Sequence, residues 1–150
     1  GMYAATKVSG FYSLKQLSKD LNIQFCYGRI FNAYGKFDGN NTFWQLLYNA
    51  AISGSDFSMT YGDQIRDFIA VDSVAESLVN ICLLPEKDLN SPYIFNIGSG
   101  IAQKVKDFAL NEWTRLQAEG KLIFGGISSR ENEPKFLVAD VSNLIIGKLS

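Results

Sequence analysis

A phenol and an ammonium group lie four residues apart near the start of the sequence, in the segment Tyr3-Ala-Ala-Thr-Lys7. In a helix, this spacing places both side chains on one face. A tyrosine hydroxyl ordinarily has a pKa of about 10, and a cation one turn away favours the phenolate. The pair could therefore transfer protons, although tyrosine and lysine at this spacing are also common neighbours on a solvated helix.

The composition limits the chemistry and the partners. With no histidine among 150 residues, a histidine triad and an imidazole metal cluster are excluded, so proton transfer must rely on tyrosine, lysine or carboxylates. A net charge of -1 provides no basic field for nucleic acid or a membrane surface. We therefore expect no metal site, no nucleic-acid or membrane partner, and binding of a small molecule or another protein.

The cysteines and the first residues suggest a cellular location. Cys26 and Cys82 lie in apolar segments without metal-ligand spacing, which predicts buried thiols. The amino terminus lacks the basic region and apolar run of a signal peptide, and the longest apolar stretches are too short to cross a bilayer. We expect a cytoplasmic location.

The apolar pattern alternates between helix and strand. Residues 6–21 have a helical period, which predicts the helix that carries the Tyr3 and Lys7 pair. A nearly continuous apolar run over 23–31 predicts a parallel strand buried on both faces. Further strands are predicted over 57–61, 65–71, 93–97 and 122–124, a loop over 32–41, and further helices after Thr42, from Asp72 or Ser73, from Val105 to a stop at Gly120, and from Asp140 or Ser142. This order predicts an α/β fold.

Two predicted helices carry start signals, and one strand ends in glycines. Thr42 can cap the helix that Gly54 closes, and Ser73 with Glu76 matches a capping box. The segment Gly98-Ser99-Gly100 follows a predicted strand, where two glycines form a tight turn more often than a phosphate cradle. We interpret this segment as structural.

Four separated segments resemble one family. They are Tyr3-Ala-Ala-Thr-Lys7, Arg29-Ile-Phe-Asn-Ala-Tyr-Gly35, Tyr61-Gly-Asp-Gln-Ile-Arg-Asp-Phe-Ile-Ala-Val-Asp72 and Phe95-Asn-Ile-Gly-Ser-Gly100. Together they resemble the extended short-chain dehydrogenase/reductases, and more narrowly the NAD-dependent epimerase/dehydratase family that acts on nucleotide-diphosphate sugars. The resemblance implies the C-terminal part of a Rossmann-like parallel sheet and a small α/β substrate-binding domain.

The resemblance also implies domain boundaries and a proton-transfer site. Residues 1–34 and 72–98 would belong to the dinucleotide-binding domain, and residues 35–71 and 99–150 to the sugar-nucleotide-binding domain. Tyr3 would be the catalytic acid and base, and Lys7 would bind the nicotinamide ribose of NAD or NADP and lower the tyrosine pKa. Both residues would thus contact the cofactor.

Three further residues are implied as substrate contacts. Asn32 and Arg66 would contact the diphosphate of the nucleotide sugar, since a guanidinium fork suits that dianion. Arg130 resembles a second phosphate-binding arginine, although Asn132 replaces a glycine that often follows it. Without the resemblance, Arg66 could instead pair with Asp63 or Asp67 on a surface turn, and Asn32 could merely shape its loop.

The family's glycine-rich pyrophosphate turn is expected far upstream of the Tyr3 helix, whereas this sequence starts at Gly1. We therefore expect a fragment of a longer, homodimeric enzyme that would be unstable alone. The reaction subtype, whether epimerase, dehydratase, dehydrogenase or reductase, stays open. The alternatives to an enzyme are a non-catalytic nucleotide-sugar-binding remnant and an inactive fragment.

Overall fold

The computed structural model describes residues 1–35, 41–85 and 91–142. The helices are α1 (Met2–Asp20), α2 (Phe43–Ser53), α3 (Val71–Cys82) and α4 (Val105–Arg115). The strands are β1 (Cys26–Ile30), β2 (Asn32–Tyr34), β3 (Phe57–Met59), β4 (Ile65–Arg66), β5 (Phe68–Ala70), β6 (Tyr93–Ile97), β7 (Gln103–Lys104), β8 (Leu122–Phe124) and β9 (Phe136–Leu137). The predicted α/β class is confirmed. The body of the last predicted helix falls in residues 143–150, outside the described residues.

The strands pair mainly in parallel. β1 pairs with β6, β2 with β5, and β3 with β8, all in parallel. Between β1 and β2, the backbone N–H of Phe31 donates to the carbonyl of Ile97 at 3.0 Å, so one extended segment pairs first with β6 and then with β5. The loop predicted to begin at Asn32 therefore starts instead with a strand, because residues 32–34 find a parallel partner in β5.

A small mixed sheet is formed by β7, β4 and β9. Its central strand, β4, pairs in antiparallel fashion with β7 and in parallel with β9. Arg66 is opposite Gln103 on one side and opposite Leu137 on the other. The extended segment predicted over 65–71 thus forms two short strands, β4 and β5, that are separated by Asp67 and belong to different sheets.

Among the described residues, most of the buried apolar side chains form two cores. One core joins α2, β3 and α4 and comprises Trp44, Leu47, Ala51, Met59, Val105, Phe108, Ala109 and Trp113. The other joins β5, α3 and β6 and comprises Ile69, Val74, Ile81, Phe95 and Ile97. Apart from Ile69, this packing follows the two predicted domains, whose boundaries stay a prediction.

The expectation that β1 is buried on both faces, with Cys26 buried, is wrong for this chain. Cys26 and Ile30 are exposed, and so is Cys82 at the end of α3. The physical reason is that, among the described residues, β1 is hydrogen-bonded to one neighbouring strand, β6. The apolar sequence therefore predicted the strand correctly but not how far its side chains are buried.

Helix starts were predicted with mixed success. Thr42 caps α2 as predicted, because its hydroxyl accepts the backbone N–H of Gln45 at 3.3 Å, and Gly54 ends the helix at φ +67°. The capping box at Ser73 is wrong, since α3 begins at Val71 with no side-chain hydrogen bond at its cap. β5 leads directly into α3, so the helix starts before the serine.

The glycine expected to close α4 has another role. The helix ends at Arg115, before Gly120, and the backbone turns left-handed at Gln117 with φ +53°. A Cβ at Gly120 would collide with the carbonyl oxygen of Ser55. Gly120 therefore permits close approach of two segments and does not end the helix.

Candidate functional site

A cavity of about 680 Å³ lies beside β3 and β4. Asn32, Arg66 and Arg130, which are distant in sequence, all line this cavity. Apolar side chains form much of the remaining wall, namely Phe43, Leu46, Phe57, Met59, Phe68, Val105 and Ile127. The structure thus brings the three predicted substrate residues to one cavity with both cationic and apolar walls, which we call the arginine cavity.

The Arg66 guanidinium is held on two sides. Its Nη1 donates to the carbonyl oxygen of Ile65 at 2.8 Å, and its Nη2 donates to Oε1 of Glu133 at 2.8 Å. The same carboxylate oxygen accepts Nε2 of Gln64 at 3.4 Å. Arg66 is 8% exposed, so its planar fork is fixed in orientation within a largely desolvated wall.

Neither predicted alternative partner pairs with Arg66. Asp63 instead accepts Nζ of Lys106 at 2.8 Å on the surface, and this hydrogen bond, reinforced by the lysine charge, holds the pKa of Asp63 below its usual value. Asp67 points into the interior, as expected for the next residue of an extended segment. The predicted surface ion pair is therefore wrong, and the partner is Glu133, 67 positions away.

The Asp67 carboxylate is fully buried at 0% exposure and accepts four hydrogen bonds. Its Oδ1 accepts the backbone N–H and the hydroxyl of Ser99, each at 2.7 Å. Its Oδ2 accepts the backbone N–H groups of Gly100 at 2.9 Å and Ala139 at 3.1 Å. Two amides of the Gly98-Ser99-Gly100 turn, those of Ser99 and Gly100, therefore donate to a protein carboxylate, in keeping with the structural interpretation.

Asn32 is joined to the backbone of the same aspartate. Its backbone N–H and its side-chain Nδ2 both donate to the carbonyl oxygen of Asp67, at 3.3 and 3.0 Å. This contact fixes the Asn32 amide in the wall of the arginine cavity. Asn32 therefore has a structural bond as well as a position at the site.

Arg130 lies exposed at the cavity wall, two residues before Asn132. Asn132 has a left-handed backbone, with φ +65°. Asparagine is among the few non-glycine residues that adopt this conformation readily. The replacement of glycine noted in the sequence is thus compatible with a turn that glycine would also allow.

Tyr3 and Lys7 lie on one face of α1, as predicted. Lys7 Nζ is 5.4 Å from the centroid of the Tyr3 ring, which is cation–π distance, and Tyr3 is 76% exposed. Neither side chain is part of the wall that the described residues form around the arginine cavity. Tyr3 and Lys7, the two residues predicted to transfer protons, therefore lie outside the wall of the arginine cavity in this chain.

A sequence profile of the NAD dependent epimerase/dehydratase family matches residues 1–98. The chain belongs to this family. CDP-abequose synthase from Salmonella typhimurium (strain LT2) is 33% identical over an alignment of 126 residues, which covers 82% of this chain and 42% of that protein. The family membership agrees with the resemblance drawn from the four sequence segments.

Two solved structures of epimerases show the same fold. A UDP-N-acetylglucosamine 4-epimerase from Methanobrevibacter ruminantium M1, in complex with UDP-N-acetylmuramic acid, matches with a TM-score of 0.79 and 21% identity, over 99% of this chain and 47% of that chain. A UDP-glucuronic acid 4-epimerase from Bacillus cereus, in complex with UDP-glucuronic acid and NAD, matches with a TM-score of 0.78 and 21% identity, over 95% and 44%. The chain thus has the Rossmann-like fold of part of these proteins and spans less than half of their length.

Metal-ligand clusters and membrane-spanning helices are both absent from the described residues. In residues 1–35, 41–85 and 91–142, no three His, Cys, Asp or Glu side chains cluster as metal ligands would. Over the same ranges, no helix combines the length and the apolar character needed to cross a membrane.

Sequence reasoning missed two acidic residues of the site. Glu133 pairs with Arg66 across the cavity wall, and Asp67 ties three segments together beneath it. Each acid follows a predicted phosphate-binding arginine closely in sequence, Asp67 after Arg66 and Glu133 after Arg130. That proximity was a usable signal, but it did not show which acid would be buried.

Proposed function

We propose that this chain is part of an NAD(P)-dependent nucleotide-sugar epimerase/dehydratase, in which it binds the nucleotide-diphosphate sugar and supplies the Tyr3 and Lys7 proton-transfer pair. The observation that carries this proposal is that Asn32, Arg66 and Arg130 line one cavity. Family membership supports the reaction class, and the names of the relatives support the substrate class.

The arginine cavity suits a molecule with an anionic centre and less polar ends. Two guanidinium groups can neutralise a diphosphate, and the fixed fork of Arg66 can donate two hydrogen bonds to its oxygens. The carboxylate of Glu133 balances one positive charge, that of Arg66. Because Arg130 adds a second positive charge, these three side chains together remain net positive. The volume of about 680 Å³ lies within the range of about 300–1,000 Å³ typical of ligand pockets.

The Tyr3 and Lys7 pair fits a role in proton transfer beside a dinucleotide. Both side chains are accessible on α1, with the ammonium group near the phenol ring, so Lys7 can donate hydrogen bonds to ribose hydroxyls. When bound, NAD(P) supplies hydride exchange with the sugar carbon. Tyr3 accepts the proton of the sugar hydroxyl through its phenol oxygen, and Lys7 lies one turn away on the same helix face.

The proposed whole enzyme is larger than these 150 residues and places Tyr3 near the substrate sugar. The chain spans 42% of CDP-abequose synthase, and the glycine-rich turn of the family has no counterpart in the segments described. Exposed apolar side chains on α1, including Val8, Leu14 and Leu17, support a covering partner surface. We propose a cytoplasmic homodimer in which this helix contributes to the subunit interface.

The first test is a calorimetric titration of the protein, at the full length that its cells make, with CDP, CMP and cytidine. CDP is chosen because the curated relative is a CDP-abequose synthase, and UDP and UMP form the second series. We expect the diphosphate to bind about tenfold or more tightly than the monophosphate, because both arginines can engage it. Equal affinities in both series would overturn the cavity assignment.

A second titration with NAD and NADP separates an enzyme from a binding remnant. An enzyme that oxidises the sugar must bind one of these dinucleotides, whereas a nucleotide-sugar-binding remnant would bind CDP or UDP alone. Binding of either cofactor supports the proposed function. Diphosphate binding without cofactor binding would replace it with the non-catalytic alternative.

A further inference from the structure

We infer that Asp67 is a positioning residue that sets the orientation of Asn32 and Arg66 in the arginine cavity. The inference rests on the proposed function of that cavity for its ligand-binding consequence, but its structural part stands on contacts within the chain. Asp67 itself is not in the cavity wall, because it is fully buried behind it.

Asp67 is bonded through its backbone as well as its side chain. Its carbonyl oxygen accepts two hydrogen bonds from Asn32, one from the backbone and one from Nδ2. Its N–H donates to the carbonyl of Leu137, which continues the pairing of β4 with β9. Any rotation of the Asp67 peptide would therefore move Asn32 and change the register that presents Arg66.

The side chain anchors this peptide to two otherwise separate segments. The four groups that donate to its carboxylate lie in the turn after β6 and at Ala139, which follows β9. A buried carboxylate is strongly unfavourable unless its oxygens are satisfied, and these four donors satisfy them at 2.7–3.1 Å. The arrangement thus favours one orientation of Asp67 over alternatives that leave a buried charge unpaired.

Close packing leaves little room for Asp67 to shift. A Cβ built on Gly98 would lie 2.6 Å from Oδ2 of Asp67 and 2.5 Å from the Cβ of Ala139, so a side chain at Gly98 would force these segments apart. The absence of a side chain at Gly98 lets the three segments meet. Contacts from several segments consequently hold Asp67 in place.

The fixed inward orientation of Asp67 determines the direction of the Arg66 side chain. Successive side chains of an extended segment point to opposite faces, so an inward Asp67 directs Arg66 towards the cavity. There the guanidinium reaches Ile65 O and Glu133, the two contacts that fix its fork. Asp67 therefore acts on the ligand through Arg66 and Asn32.

The test is Asp67→Asn, which keeps the shape of the side chain. It replaces one of the two carboxylate oxygens with an NH₂ group, which cannot accept the hydrogen bonds that this oxygen accepts in wild type. We expect this variant, in the full-length protein, to bind CDP or UDP about tenfold more weakly than wild type. The variant Asp63→Asn, an acid of the same region that pairs with Lys106 on the surface, is the matched control and should bind as wild type does.

Coupling distinguishes positioning from a general loss of stability. If Asp67 acts through Arg66, then Asp67→Asn should cause a much smaller further loss of affinity in an Arg66→Ala background than in wild type. An equal fold-loss in both backgrounds would overturn the inference.

A measurement without ligand separates this inference from the proposed function. Phenylglyoxal modifies accessible guanidinium groups, and Arg66 is 8% exposed, so wild type should react slowly at that position by mass spectrometry. Asp67→Asn should react several-fold faster at Arg66 but not at Arg115. If wild type binds neither diphosphate, the proposed function fails, yet faster labelling still supports positioning and unchanged labelling overturns it.

A milder variant keeps the test decisive if Asp67→Asn does not fold. Ser99→Ala removes one of the four contacts to the carboxylate, from the serine hydroxyl. Faster Arg66 labelling in Ser99→Ala, smaller than that expected of Asp67→Asn, supports the inference. Labelling equal to wild type in a folded Ser99→Ala protein overturns it.

Discussion

The Glu133 carboxylate lies 2.8 Å from Nη2 of Arg66, and this ion pair forms part of the wall of the arginine cavity. The arginine side chain is 9% exposed and that of the glutamate 31% exposed, so the two charges differ in their access to water. In such a partly desolvated pair, loss of one partner leaves the other poorly compensated. A change of side-chain geometry at Arg66 should therefore weaken the binding of a diphosphate more than a change elsewhere in the wall.

Arg66→Lys should weaken binding of CDP or UDP by about tenfold or more, although the positive charge is kept. Lysine presents a single ammonium group and cannot reproduce the planar fork. Calorimetry would measure the change, and Arg115→Lys is the matched control because Arg115 pairs with Glu112 outside the arginine cavity. Equal loss of affinity in both variants would contradict the assignment.

Tyr3→Phe should lower turnover of the full-length enzyme by about 10²–10⁴-fold, because it removes the oxygen that accepts the proton of the sugar hydroxyl. Diphosphate affinity should stay unchanged, since Tyr3 is not in the cavity wall. Tyr12→Phe, on the same exposed helix, should keep its turnover. Steady-state assays with the nucleotide sugar would measure both, and unchanged turnover in Tyr3→Phe would refute the acid and base role.

Leu47→Ala should lower the free energy of unfolding by about 2–5 kcal/mol, because Leu47 is fully buried in the core formed by α2, β3 and α4. Leu110→Ala is the control, since that leucine is 52% exposed on α4 and should cost much less. Urea denaturation would measure both. A similar loss in the two variants would mean that this core is not packed as described.

Thr42→Ala should destabilise the protein by about 0.5–2 kcal/mol, because the threonine hydroxyl satisfies the N–H of Gln45 at the start of α2. Ser73→Ala should have little effect, since the α3 cap lacks a side-chain hydrogen bond. Thermal or urea unfolding compares the two. A larger effect of Ser73→Ala would restore the capping box predicted from the sequence.

The pair formed by Asp63 and Lys106 should make the free energy of unfolding depend slightly on pH, at both low and high pH. The hydrogen bond and the charge of Lys106 lower the pKa of Asp63, so the contribution of this acid is complete above the unfolded pKa and is lost as pH falls through the lower folded pKa. The same pair raises the pKa of Lys106, so the contribution of this base is lost as pH rises through the raised value.

Lys106→Gln tests this linkage directly. In this variant the Asp63 pKa, measured by NMR titration of the carboxyl carbon, should rise towards its usual value, because the hydrogen bond and the charge are both weakened. Both groups lie at the surface, so the effect on stability should be small and should decrease with added salt. An unchanged Asp63 pKa would show that the ion pair is not populated in solution.

Features that depend on near neighbours in the chain could be predicted from the sequence. The four-residue spacing of Tyr3 and Lys7 placed them on one helix face, Thr42 and Gly54 marked the ends of α2, and alternation predicted β6. Each of these follows from backbone geometry that repeats every two to four residues. The motif containing Arg66 also predicted a cavity residue, since its neighbours in sequence matched a family pattern.

Contacts between residues that are distant in sequence could not be predicted and depend on how the segments pack. Arg66 pairs with Glu133 across 67 positions, and Asp67 meets Ala139 across 72, because short strands bring these segments together. The same packing put Asp67 inside and left Cys26 at the surface, although local composition favoured the reverse. Burial depends on which segments cover a residue, and that information is not contained in the residue's own stretch of sequence.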